Sequence, residues 1–128
     1  MIEFNQQISN YLKMLVKGGE KMSVMEEVLL EEYDRSIRIS NALEEEIKNL
    51  PKGSLQKKVI NGKEYWYLQY RENDSIKSDY IKTDNLERIK NDIAKRKSDI
   101  VALREQKKSQ RMIEKALGKE FINEHSAD

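Results

Sequence analysis

Residues 54–81, SLQKKVINGKEYWYLQYRENDSIKSDYI, decide the architecture. The stretch is rich in Tyr, Ile and Val, and Asn61-Gly62 interrupts it with two residues that accept the positive φ of a two-residue hairpin turn. Asn73-Asp74 supplies a second turn. Three antiparallel strands are expected, spanning 55–60, 63–71 and 76–81, as one β-meander.

The turn lengths set the pairing. A two-residue turn at Asn61-Gly62 puts Ile60 opposite Lys63, Lys58 opposite Tyr65 and Gln56 opposite Tyr67. The same turn length at Asn73-Asp74 puts Arg71 opposite Ile76 and Tyr67 opposite Tyr80. Side chains alternate along a strand, so the two faces can be written down. One holds Leu55, Lys57, Val59, Trp66, Leu68, Tyr70, Lys77, Asp79 and Ile81. It has the only Trp and most of the aliphatic groups, and is expected to pack on helix ends with its lysines extended to the rim. The other holds Lys58, Ile60, Tyr65, Tyr67, Gln69, Arg71, Ile76, Ser78 and Tyr80, and is expected to face solvent. Tyrosine gives flat contact area with a polar tip, and Arg and Lys answer phosphate or carboxylate, which is the chemistry of a recognition surface. The plainer alternative is that cross-strand tyrosine pairs brace a sheet with no second layer. A three-residue second turn would flip the third strand and remove Tyr80 from the set.

Working outward, the flanks read as helices. Residues 3–17 place Phe4, Ile8, Tyr11, Leu12 and Leu15 at helical spacing before Gly18-Gly19, giving a short amphipathic helix. Ser23 followed by Glu26 is a capping-box signature. From there Leu29, Tyr33, Ile37, Leu43, Ile47 and Leu50 recur at helical steps until Pro51 and Gly53 end the run. A last helix opens at Asp84 and carries Leu86, Ile89, Ile93, Ile100 and Leu103 on one stripe, ending at Gly118. Laid antiparallel, the stripes suggest Leu50 against Leu86, Ile47 against Ile89 and Tyr33 against Leu103, with paired numbers adding to about 136. In that register Ser36 and Ser40 face Arg96 and Lys97. Val24, Met25 and Val28, with Met112, Ile113 and Leu117, are then left to receive the first helix or a second copy of the chain.

The expected class is therefore α+β and mainly α: an antiparallel, coiled-coil-like helical hairpin capped by a three-stranded antiparallel β-meander, plus a short N-terminal helix. The expected segments are that helix in 1–19, the hairpin with its inserted meander in 20–118, and a tail in 119–128.

Composition agrees. Of 128 residues, 37% are charged and 38% hydrophobic, which suits long solvated helices around a narrow apolar seam. No cysteine is present, so disulfides and thiolate metal sites are excluded. The N-terminal residues lack a signal-peptide pattern and no apolar run approaches the roughly 20 residues of a membrane span, so a cytoplasmic protein without membrane contact is expected. The net charge of +1 hides an asymmetry: residues 1–50 carry 6 basic and 10 acidic side chains, and residues 51–119 carry 18 basic and 10 acidic. Such a split points to nucleic-acid contact or to attraction between the two helices.

Residues 50–81, with their Leu-Pro-Lys-Gly-Ser entry, Asn-Gly-Lys turn and Tyr-rich strand ending in Gln-Tyr-Arg, resemble a motif of small uncharacterised bacterial and archaeal proteins often met near mobile elements. There the motif sits between two charged helices, which implies the same fold here. The segment also resembles the three-stranded amino-terminal DNA-binding domain of some conjugative-transposon tyrosine recombinases, whose sheet face enters the major groove. That likeness implies roles for Lys58, Tyr65, Tyr67, Gln69 and Arg71, although Glu72, Asp74 and Asp79 depart from its more basic pattern.

Motifs for catalysis are lacking. The only histidine, His125, lies near the C-terminal end, and Glu44-Glu45-Glu46 fall on successive helix faces. No phosphate-cradling glycine loop has the required strand-to-helix context. A non-enzymatic protein without cofactor or metal is expected. Arg104, Lys107, Lys108 and Arg111 form coherent rows on the last helix, either simply solvated or following a phosphate backbone. The leading expectation is a nucleic-acid-binding accessory protein of a phage or mobile element. It would use Lys58, Lys63, Tyr65, Tyr67, Gln69, Arg71 and Tyr80, supported by that basic helix, and form a homodimer. The alternative partner is a protein that processes nucleic acid, for example a host defence nuclease inhibited by this chain, or a second copy in a self-associating adaptor.

Overall fold

The computed structural model describes residues 22–125. In chain order these form α1 (Val24–Asn49), β1 (Ser54–Ile60), β2 (Lys63–Glu72), β3 (Ser75–Ile81), α2 (Thr83–Leu117) and α3 (Lys119–His125). The fold is α+β and mainly helical. The helix expected within residues 1–19 lies outside the described residues. The chain divides into two compact units, one made of residues up to Leu43 together with those from Ala102, the other of Glu44–Val101.

In the first unit, α1 starts where its capping chemistry dictates. The Ser23 hydroxyl accepts from the Glu26 amide at 3.1 Å, and the Glu26 carboxylate accepts from the Ser23 amide at 2.7 Å, so two otherwise orphaned donors are satisfied reciprocally. Leu29 and Ile113 form the buried centre, with Met25, Tyr33, Ala116 and Leu117 packed around them. This corrects the expected register. Tyr33 lies against Glu114, its hydroxyl donating at 2.6 Å, rather than against Leu103. Ser36 and Ser40 face Gln106 and Gln110 rather than Arg96 and Lys97. The Ser36 hydroxyl donates to Gln106 Oε1 at 2.6 Å, while Gln110 Nε2 donates to Ser36 at 3.0 Å and to Ser40 at 2.7 Å. The hairpin itself therefore covers Met25, Ile113 and Leu117, whereas Val24 and Val28 stay exposed.

Gly118, at φ 88°, stops α2. The chain then restarts at once as α3, in place of the tail expected from Lys119 onward, because Ile122 finds a buried position. His125 closes this helix, its ring stacked on Phe121 at 4.2 Å between centroids.

The second unit holds the sheet, in the order β1-β2-β3 and antiparallel throughout. Ile60 pairs with Lys63, Lys58 with Tyr65, Tyr67 with Tyr80 and Arg71 with Ile76, so both turns contain two residues and the expected faces hold. Asn61 and Gly62 take φ of 53° and 79°, and Asn73 takes 50°. These are left-handed values that Asn and Gly adopt at little steric cost.

Within this unit the connections offset α2 against the end of α1. Only Lys82 separates β3 from α2, whereas four residues, Leu50–Gly53, separate α1 from β1. The first turns of α2 therefore lie along the sheet beyond the end of α1, where Lys90 sits over the Trp66 ring at 5.2 Å. Glu46 near the end of α1 meets Lys95 at 3.0 Å, well past the start of α2. Gly53 is where the connection touches the sheet. It takes φ 122°, and a methyl group there would run into the Gln69 carbonyl oxygen and sit 3.0 Å from Tyr70 Cβ.

Candidate functional site

The pairing puts every sheet residue of the expected recognition set on one face. Lys58, Lys63, Tyr65, Tyr67, Gln69, Arg71 and Tyr80 all fall there, with Ile60, Ile76 and Ser78 between them. The three tyrosines form one cluster. Tyr80 on β3 meets Tyr67 edge-on at 5.7 Å and Tyr65 at 6.4 Å between ring centroids. On the other side of β2, Lys58 Nζ lies 4.7 Å from the centre of the Tyr67 ring, within cation–π range. Tyr65, Tyr67 and Gln69 are half-buried because β2 is the central strand and its neighbours on β1 and β3 flank them. Tyr80 is 56% exposed.

Charge follows the same alternation. The strand carboxylates Glu64, Glu72 and Asp79 pair with Val59, Ser75 and Leu68, which places all three on the opposite face. The tyrosine face carries Lys58, Lys63 and Arg71 and no carboxylate. Glu72 and Asp79, which depart from the recombinase pattern, thus do not oppose an anion approaching that face.

The opposite face is occupied by structure. Trp66, Leu68 and Tyr70 are half-buried and Ile81 is buried. Lys57 reaches Glu64 at 3.3 Å. The Tyr70 hydroxyl is pushed above its ordinary pKa, chiefly by its hydrogen bond to Asp79 and then by burial. On the helices of this unit, Lys95 bridges Glu46 at 3.0 Å and Asp99 at 2.9 Å. Asp99, itself buried, is held below the ordinary carboxylate range by hydrogen bonding to Glu46 and then to Lys95.

Arg104, Lys107, Lys108 and Arg111 belong to the other unit. Arg104 and Arg111 are exposed, whereas Lys107 and Lys108 are half-buried and Lys107 is engaged with a partner. Lys108 and Arg111 share a hollow with Lys115 and Lys119, two cations that the row reading leaves out. Lys115 continues the Lys107–Arg111 row at the same four-residue spacing, so the sequence pattern could have found it, whereas Lys119 lies past Gly118 on α3. Ile60 and Ile76, 49% and 60% exposed, also belong to the recognition face, and the alternation that placed the tyrosines already locates them. Among the described residues, no group of His, Asp and Glu side chains is arranged to hold a metal ion.

A family model described as "Domain of unknown function (DUF6788)" matches residues 29–91, from within α1 through the whole sheet into the first part of α2. The tyrosine face lies inside this stretch, and the basic row of Arg104–Arg111 outside it. Searches of curated proteins and of solved structures found no match.

Proposed function

We propose that this chain is a non-enzymatic nucleic-acid-binding protein, an accessory factor of a phage or other mobile element acting in the cytoplasm, and that the tyrosine face of its sheet makes the contact. One observation carries the reading: three clustered tyrosines share a face with three cations, and every strand carboxylate lies on the other side. Cations neutralise phosphates, while Tyr80 and the edges of Tyr65 and Tyr67 offer stacking or groove contact, with Gln69 able to donate and accept at a base edge. Arg104 and Arg111 would add phosphate contacts from α2. Among the described residues, no helix is long and apolar enough to cross a membrane.

Fluorescence polarisation on duplex and single-stranded DNA, over a range of salt, tests the proposal. Tyr67→Ala or Arg71→Ala is expected to cost about 1–3 kcal/mol of binding, and Arg111→Ala to reduce the salt slope by about one unit. A wild-type protein that binds neither DNA nor RNA at low salt refutes it.

A second reading rests on Ile60 and Ile76, which leave apolar surface open on the same face. In that reading the face grips a protein, such as a nuclease of host defence or a second copy of this chain, and binding varies little with salt. Exposed Val24 and Val28 give self-association another apolar surface. Light scattering across a concentration series tests for the dimer.

A further inference from the structure

β3 is an open edge of the sheet. β2 lies on one side of it, no strand of the described residues lies on the other, and Ser75 through Tyr80 are all exposed. Ser75 pairs with Glu72 across a two-residue turn, so these two exchange both main-chain bonds, and the alternation of an antiparallel ladder then assigns the rest of β3. Lys77, Asp79 and Ile81 bond to β2, while the amides and carbonyls of Ile76, Ser78 and Tyr80 point outward. Such an edge is a template for a further strand unless charge guards it.

Charge selects the partner. If β3 pairs antiparallel with β3 of a second copy, outward groups meet outward groups when the twofold axis passes through Lys77, Ser78 or Asp79. An axis at Lys77 sets that ammonium against its own copy, and an axis at Asp79 does the same with the carboxylate; both are unfavourable. The axis at Ser78 instead sets Lys77 opposite Asp79 of the second copy, twice by symmetry, at positions without main-chain bonds, where cross-strand side chains come closest. This register also engages every outward residue, Ser78 with Ser78 and Ile76 with Tyr80, and lays the exposed Ile76 and Tyr80 side chains against each other. Lys77 belongs to no ion pair among the described residues, and Asp79, which accepts from the Tyr70 hydroxyl, keeps acceptor capacity for it. The other edge lacks this complementarity. On β1 the outward residues are Leu55, Lys57 and Val59, and the equivalent pairing about Lys57 opposes two ammonium groups.

We infer that the chain forms a twofold dimer by antiparallel pairing of β3 with β3 of a second copy, centred on Ser78. Opposed residues in such a pairing share a face, so the two tyrosine faces join into one surface of twice the width. The pairing does not depend on what that face binds. One strand pair makes a small interface, so a dissociation constant of about 10 μM to 1 mM is expected.

Amide hydrogen exchange of the wild type, followed by NMR at about 20 μM and about 1 mM, should slow at Ile76, Ser78 and Tyr80 in the concentrated sample. Lys77 and Asp79, already bonded to β2, should change little. Light scattering on charge variants tests the register. Lys77→Glu and Asp79→Lys each set like charges opposite one another and should weaken dimerisation about tenfold, whereas an equimolar mixture should associate as wild type does, because each variant then opposes the other's charges. Circular dichroism checks that both variants fold, and if either does not, exchange in the wild type decides. A wild type still monomeric at about 1 mM, a dimer whose exchange does not slow at those three amides, or a mixture of folded variants no more associated than either alone would overturn the inference.

Discussion

Replacing Gln110 by Ala tests the helix register most sharply. Its amide donates to Ser36 at 3.0 Å and to Ser40 at 2.7 Å, and Gln110 and Ser40 are only 5% and 1% exposed. Each neutral bond contributes about 1 kcal/mol net, and a buried hydroxyl left without its partner costs about 1–3 kcal/mol. Ser36 keeps its bond to Gln106, so the stranded group is Ser40. The expected loss is about 2–4 kcal/mol, or roughly 6–20 °C in Tm for a chain of this size. Urea unfolding followed by circular dichroism measures it, with Ser40→Ala and the double variant completing a cycle whose coupling energy should be about 1–2 kcal/mol. Ser36→Ala, Ser40→Ala and Gln110→Leu combined should recover most of the loss, because apolar groups of similar shape replace the whole network. Had Tyr33 lain against Leu103, Gln110 would stand opposite Glu26 in the first turn of α1, out of reach of Ser40, and the two residues would not be coupled. A coupling energy near zero between Gln110 and Ser40 therefore refutes the register.

Gly53→Ala should destabilise the sheet unit by about 1–3 kcal/mol or more, since it combines a strained φ with a clash against the Gln69 carbonyl; an unchanged denaturation midpoint would show that the connection runs elsewhere. Tyr33 has its pKa raised to about 12 by burial and by its hydrogen bond to Glu114. The folded state thus holds the phenolic proton more tightly, and this contribution is complete below pH 10 and lost between 10 and 12. Tyr33→Phe should be less stable than wild type at neutral pH and lose less stability over that alkaline range, as Tm against pH will show. Asp99 has the opposite sign: its depressed pKa gives stability that is present above 3.8 and lost as pH falls further. Lys95→Met should lower Tm at neutral pH, and the gap to wild type should narrow in acid.

Local chemistry made much of the molecule legible from sequence. Asn61-Gly62 and Asn73-Asp74 each permit a two-residue turn, and turn length fixes strand pairing, which fixes the faces. The tyrosine cluster and the sorting of strand carboxylates to the other side follow from those four residues. Ser23 with Glu26, Pro51 and Gly118 mark helix ends through capping, a missing amide and a positive φ, all of which act within a few residues. Helix register was not legible in this way. Apolar stripes that repeat every three or four residues fit one another about equally well after sliding by a turn or two, so Tyr33 matches Leu103 on pattern alone. Tertiary structure chose between the alternatives through Ser36, Ser40, Gln106 and Gln110, which satisfy one another in one register only.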